Sequence, residues 1–271
     1  MNLSVCIDNK TFAQSPLRPV LQDVRFEIAA QEFIAIVGPS GCGKSTLLNI
    51  VAGLDQSFSG RVDWPAQGDG DHRLGYVFQN PRLLPWLTVR DNIRLVIDNP
   101  NMAAGRVDDL LEAMELNGYA DYHPGRISVG MQRRVALARA FAVAPQLLLM
   151  DEAFVSLDAP TAKLLRSLLL RVWGEHRSRV LFATHDLREA TQLADRILFL
   201  SQSPARVIAE VDVKIPREQR TDENLVDVEL RGLQRQFEVL YGSSGRTAFT
   251  TTPETRTQSP STGANPCRQS R

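Results

Sequence analysis

The segment Gly38-Pro39-Ser40-Gly41-Cys42-Gly43-Lys44-Ser45-Thr46 fits G-x-x-x-x-G-K-[ST], the spacing of a loop that wraps the phosphates of a nucleotide. Glycines let backbone N–H groups turn inward and approach phosphate oxygens with no Cβ in the way. Lys44 would place a point charge on the β/γ-phosphates, and the Ser45 hydroxyl can ligate Mg²⁺. The chemistry needs acids as well. Leu147-Leu148-Leu149-Met150-Asp151-Glu152 is an apolar run ending in two carboxylates. Beside a phosphate loop, Asp151 would hold Mg²⁺, directly or through water, and Glu152 would polarise the water that attacks the γ-phosphate. His185 follows the apolar run Val180-Leu181-Phe182-Ala183-Thr184 and reads as a γ-phosphate contact. Gln79 closes Tyr76-Val77-Phe78. Its amide could reach Mg²⁺ or the attacking water.

These residues need a scaffold that gathers them. Residues 33–37 before the phosphate loop read as a buried strand and 46–52 after it as a helix, so the loop feeds a helix N-terminus, itself an anion site. Further strands are expected at 4–8, 24–28, 146–150, 179–183 and 196–200. The continuously apolar ones resemble strands buried on both faces of a parallel sheet. Helices at 159–171 and 187–193 alternate with them, which indicates an α/β layer fold. His185, Gln79 and the acid pair would then share the strand-end edge where ligands of open α/β sheets collect. Residues 81–143 read differently, with helices at 89–97, 107–116 and 131–143, as a helical subdomain inserted into the core. Val226, Leu230, Leu233, Phe237 and Leu240 recur at helical spacing, giving a C-terminal helix at about 222–241. Beyond it, 242–271 is rich in Gly, Ser, Thr, Pro and Arg and reads as a disordered tail.

Composition narrows the class. The chain has 271 residues, 43% hydrophobic and 23% charged, ordinary for a globular protein able to bury its own core. Its 31 basic and 31 acidic side chains cancel, which argues against nucleic acid as a partner. Cys6, Cys42 and Cys267 are scattered, so a reducing compartment is expected rather than a disulfide framework. No signal-peptide pattern opens the chain. No apolar stretch approaches the roughly 18 residues of a membrane span, so any role at a membrane comes through a partner.

Taken together, these elements resemble the ATP-binding subunit of an ABC transporter, over about residues 5–214. The resemblance rests on the Walker A loop (38–46), the Gln79 loop, the signature segment Ile127-Ser128-Val129-Gly130-Met131-Gln132, the Walker B strand (147–152), the aspartate loop Ser156-Leu157-Asp158 and the switch His185, in that order. It implies an α/β P-loop NTPase core, RecA-like, within an ABC ATP-binding domain over 1–241, with ATP and Mg²⁺ bound. Phe12 stands where the family has an aromatic that stacks on adenine, a contact worth about 1–3 kcal/mol. The resemblance implies that nucleotide is bound by Phe12, Gly38, Pro39, Ser40, Gly41, Cys42, Gly43, Lys44, Ser45, Thr46, Ser128, Gly130 and Asp158. It likewise implies that Glu152, His185 and Gln79 act in hydrolysis and that Ser45, Gln79 and Asp151 hold the metal.

The same resemblance implies a head-to-tail homodimer, each ATP lying between Walker A of one copy and the signature helix of the other, with Ser128 capping that helix. Leu83-Leu84-Pro85-Trp86 after Gln79 looks like the importers of nitrate, aliphatic sulfonate and taurine. Leu84, Pro85 and Trp86 would meet integral membrane permease subunits, with a solute-binding protein acting indirectly. The implied location is peripheral, on the cytoplasmic face of the inner membrane. Three positions depart from the family. Val129 replaces the first signature glycine, which predicts slow hydrolysis; Ala153 replaces a proline; Gln31 replaces a glycine before Glu32. They leave room for an alternative, a regulatory or scaffold module with weak hydrolysis. A chromosome- or ribosome-associated ATPase is disfavoured by the single domain and the zero net charge.

Overall fold

Runs such as 33–37 and 147–150 are apolar without alternation because layers cover both faces of the sheet they join. A computed structural model describes residues 2–12, 19–65, 72–98, 100–176 and 178–236. In chain order, β1 (Leu3–Thr11) and β2 (Pro19–Ile28) are followed by β3 (Phe33–Val37), the phosphate loop and α1 (Lys44–Val51). Then come β4 (Ser59–Asp63), β5 (Leu74–Val77), α2 (Val89–Arg94), α3 (Pro100–Ala113) and α4 (Val129–Ala142). The second half alternates: β6 (Leu147–Asp151), α5 (Ala159–His176), β7 (Arg179–Thr184), α6 (Leu187–Leu193), β8 (Arg196–Leu200), β9 (Val207–Asp212) and α7 (Glu223–Gln236).

The central sheet runs β5-β6-β7-β3-β8-β9. Its first five strands are parallel and β9 is antiparallel to β8. The two-residue period of a strand divides its side chains between two cores. Phe33, Ala35 and Val37 of β3, with Leu148 and Met150 of β6, pack under α4, α5 and α6. Ile34 and Ile36, with Leu147 and Leu149, face α1 and a separate antiparallel sheet, β2-β1-β4. The segment between β5 and β6 holds α2, α3 and α4, which pack on one another.

Differences from the sequence reading have local causes. Strands β4 and β9 bury no residue; as edge strands they lack the apolar run that marks a strand. Four-residue β5, with Gly75 against the Ala140 carbonyl, is too short to show periodicity. Helix α2 stops at Arg94, short of 97, and α5 continues to His176 instead of 171. Helix α3 begins at Pro100, seven positions before the expected 107, because proline suits a first helical turn. The C-terminal helix is described to Gln236; Phe237, Leu240, Cys267 and the expected tail 242–271 lie outside the described residues. Among the described residues no helix is long and apolar enough to cross a membrane.

Candidate active site

Strands β5, β6, β7 and β3 are neighbours and parallel, so their C-terminal ends line one edge. Gln79 follows β5, Asp151 ends β6, His185 follows β7, and the phosphate loop follows β3. Strand order thus joins residues more than a hundred positions apart.

The loop's glycines have different reasons. Gly41 and Gly43 have φ of +76° and +121°, a region costly for other residues. Gly43 also lies against β2: a Cβ there would come within 2.9 Å of the Leu21 side chain. Gly38 is constrained by packing, since a Cβ would sit 3.0 Å from the Cys42 sulfur. Cys42 itself is turned into the core, and burial raises its thiol pKa; only its backbone faces the loop. Gly43 caps α1 without a side-chain acceptor, and the first turn carries no acid. The helix's first N–H groups therefore stay available to an anion.

Lys44 is buried, its ammonium donating to the carbonyls of Gly38 (2.9 Å) and Pro39 (3.1 Å) and lying 3.6 Å from Glu152 Oε1. Glu152 is the hub. Gln79 Nε2 donates to its Oε2 at 3.3 Å, and His185 Nδ1 lies 3.4 Å from its Oε1. The Glu152 backbone is held at φ +45°, with its N–H donating to the Ala183 carbonyl at 2.8 Å. A non-glycine residue there carries about 1–3 kcal/mol of strain, a cost that recurs at functional sites. Asp151 is 7% exposed, and its Oδ1 is buried without a hydrogen-bond partner. Burial raises its carboxyl pKa, opposed by a hydrogen bond from Ser45. A hydroxyl beside a buried carboxylate with an orphaned oxygen fits a hard divalent cation such as Mg²⁺, which takes oxygen ligands.

A second cluster sits at the start of α4. Ser128 is the N-cap, its hydroxyl accepting from Met131 N at 3.2 Å. Gly130 is adjacent to Thr161 on α5; a Cβ at 130 would stand 2.5 Å from Thr161 Cγ2. Thr161 in turn donates to both carboxylate oxygens of Asp158, from its N–H at 3.0 Å and its hydroxyl at 2.7 Å. Those bonds hold the Asp158 carboxyl below its usual pKa. Ser128, Gly130 and Asp158 are thus one packed unit. Val129 is 56% exposed at the first position of α4, and its φ is not positive. Its backbone has no need of glycine there. Gln31 does occupy a glycine conformation, with φ +60°, and Ala153 is buried.

Phe12 ends the described part of the first hairpin, half-exposed, with the Lys10 ammonium 4.7 Å from its ring centroid. Trp86 is 70% exposed. Its loop is stapled from beneath by buried Asn92, which accepts from Leu84 N (2.8 Å) and donates toward the carbonyls of Leu84, Leu87 and Thr88.

Sequence reasoning missed Asn92, Thr161 and two arginines of α4, Arg133 and Arg139, whose guanidiniums reach the Gln79 loop. The one available signal was arginine inside an otherwise buried helical run.

Residues 21–155 match the ABC transporter family. The chain is 40% identical over 224 residues to the aliphatic sulfonates import ATP-binding protein SsuB of Bacillus licheniformis, covering 80% of this chain and 88% of that protein. It is 45% identical over 207 residues to SsuB 2 of Burkholderia cenocepacia, covering 75% and 77%. SsuB of Bacillus cereus is 36% identical over 254 residues, covering 92% of this chain and all of the relative. Among solved structures, the dimeric bacterial ABC transporter cassette MJ0796 superposes with a TM-score of 0.68 at 30% identity, over 80% of this chain and 100% of that one. A post-hydrolysis dimer of the same cassette, bound to ADP and Pi, gives 0.66 at 28%, with the same coverage.

Proposed function

This chain belongs to the ABC transporter family and is an ATP-binding ATPase subunit, and from that premise we propose that it powers import of an aliphatic sulfonate or a closely related small anion. The observation that carries the hydrolytic reading is the convergence of Lys44, Gln79 and His185 on Glu152 beside the orphaned oxygen of Asp151. The solute class comes from the sulfonate-import relatives.

In this reading ATP is held by the backbone N–H groups of residues 38–46, with Phe12 against the adenine. Lys44 leaves the Gly38 and Pro39 carbonyls for the β/γ-phosphates, which frees Glu152 from its ammonium. Glu152 then takes the proton of the attacking water while Gln79 and His185 fix the carboxylate's orientation. Ser45, Asp151 and Gln79 would hold Mg²⁺, which neutralises phosphate charge when bound. The domain spans 1–241, with its helical subdomain at about 81–143. Two copies close head to tail, so that Ser128 and Gly130 of one face the γ-phosphate on the other and Asp158 lies along the interface. Leu84, Pro85 and Trp86 meet the permease subunits at the cytoplasmic face of the membrane. The regulatory or scaffold reading is not favoured: every charged group that hydrolysis needs is present, and the relatives are import subunits.

Glu152→Gln should bind ATP yet accumulate as a dimer in size-exclusion chromatography with Mg·ATP; a persistent monomer refutes the sandwich. In the assembled transporter, alkanesulfonate-loaded binding protein should stimulate ATPase activity. Stimulation by nitrate alone would overturn the solute assignment.

A further inference from the structure

Helix α4 carries Ser128 at its N-terminus and two arginines further along that turn back toward the catalytic edge. Arg133 is 6% exposed. Its Nη1 donates to the Phe78 carbonyl and its Nη2 to the Val155 carbonyl, each at 3.4 Å, and its Nε is buried without a partner. Phe78 immediately precedes Gln79. Val155 lies between Glu152 and Asp158. Arg139 donates to the carbonyls of Pro81 (2.8 Å) and Arg82 (3.0 Å), on the far side of Gln79. Two guanidiniums from one helix therefore bracket Gln79 from both directions, and one of them also holds the loop after Glu152.

A guanidinium is planar, permanently charged and able to bridge two acceptors at a fixed separation. No carboxylate bonds Arg133 in the described residues; its partners are backbone carbonyls. Backbone acceptors cannot swing away as side chains can, so a shift of α4 must drag the two loops with it or break the bonds.

We propose that Arg133 and Arg139 form a yoke that fixes the Gln79 loop and the loop after Glu152 on the Ser128-capped helix, and so holds Gln79 and Glu152 in register for hydrolysis. Both are positioning residues, since neither touches a site where phosphate would lie. The proposal rests on the site reading given above. It assigns Arg133 a role on two loops and Arg139 a role on one.

The test is steady-state ATPase activity of the full-length chain in the assembled transporter, with ATP affinity and Tm measured on the same proteins. Each substitution removes two guanidinium–carbonyl bonds; Arg139→Met, which frees one loop, should lower kcat about three- to tenfold, and Arg133→Met, which frees two, about ten- to thirtyfold. ATP affinity and KM should stay within about twofold, because Lys44 and the phosphate loop are untouched. Arg133→Lys reaches one carbonyl at a time and should recover part of the lost kcat. Should Arg133→Met fail to fold, Arg133→Lys and Arg139→Met carry the comparison. The yoke is overturned if the folded methionine variants keep kcat within twofold, or if kcat, affinity and Tm all fall in parallel as for plain loss of structure. Lys44→Ala and Glu152→Gln serve as separate arms: if they retain hydrolysis, the site reading itself fails, whatever the arginine variants do.

Discussion

Gly130→Ala tests whether the second signature glycine is selected by space. The added Cβ would stand 2.5 Å from Thr161 Cγ2, where carbon atoms prefer about 3.5–4.0 Å. Something must yield by roughly an ångström. Threonine is stiff about χ1, and Thr161 is pinned by two hydrogen bonds to Asp158. Overpacking of this kind costs about 1–3 kcal/mol. The gain in helix propensity from glycine to alanine returns at most about 1 kcal/mol. The net of about 1–2 kcal/mol corresponds to a fall in Tm of about 2–8 °C for a domain of this size. Thr161→Ser removes the offending methyl and keeps the hydroxyl on Asp158. In that background only the propensity gain remains, so Gly130→Ala should cost nothing or stabilise slightly, and the coupling in a double-mutant cycle should equal the steric cost, about 1–3 kcal/mol. The assay is thermal unfolding of the four proteins by circular dichroism, paired with ATPase activity. If the two substitutions add to within about 0.5 kcal/mol, the steric reasoning is wrong.

Three further outcomes follow from the geometry. Burial raises the Glu189 carboxyl pKa from 4.5 to about 7, despite a hydrogen bond from Thr184. Because the folded pKa is the higher one, this contribution to stability is complete below pH 4.5 and lost as pH rises through about 7, a swing of about 3 kcal/mol at 1.36 kcal/mol per unit. Glu189→Gln should therefore match the wild-type Tm near pH 4.5 and exceed it at pH 8; equal values at both pH values would refute this. Asn92→Ala leaves the Leu84 N–H without its acceptor and should destabilise by about 1–3 kcal/mol, with faster tryptic cleavage at Arg82; unchanged cleavage would mean that Asn92 does not hold the Trp86 loop. Val129→Gly removes an exposed branched side chain facing the proposed dimer interface and should raise turnover, at up to about 1 kcal/mol of helix stability; a glycine variant no faster than wild type sinks the crowding argument.

What could be read without coordinates was what neighbours in the chain dictate. The phosphate loop, the apolar runs ending in Asp151-Glu152 and His185, and the Ser128 cap are local patterns, because backbone conformation and strand periodicity act over a few residues. The parallel strands of the core were legible for the same reason: burial on both faces leaves an unbroken apolar run. Strands β4, β5 and β9 were not, since two are edges that bury nothing and the third is too short. Only the tertiary structure decided how the pieces meet. The strand pattern put the site residues on one sheet edge, but only the strand order β5-β6-β7-β3 brings Gln79, His185 and Lys44 onto the Glu152 carboxylate itself. The same holds for Gly130 against Thr161 and for the arginines of α4 on the loop around Gln79. These contacts depend on how helices seat on the sheet, which is set by the packing of the two cores as wholes.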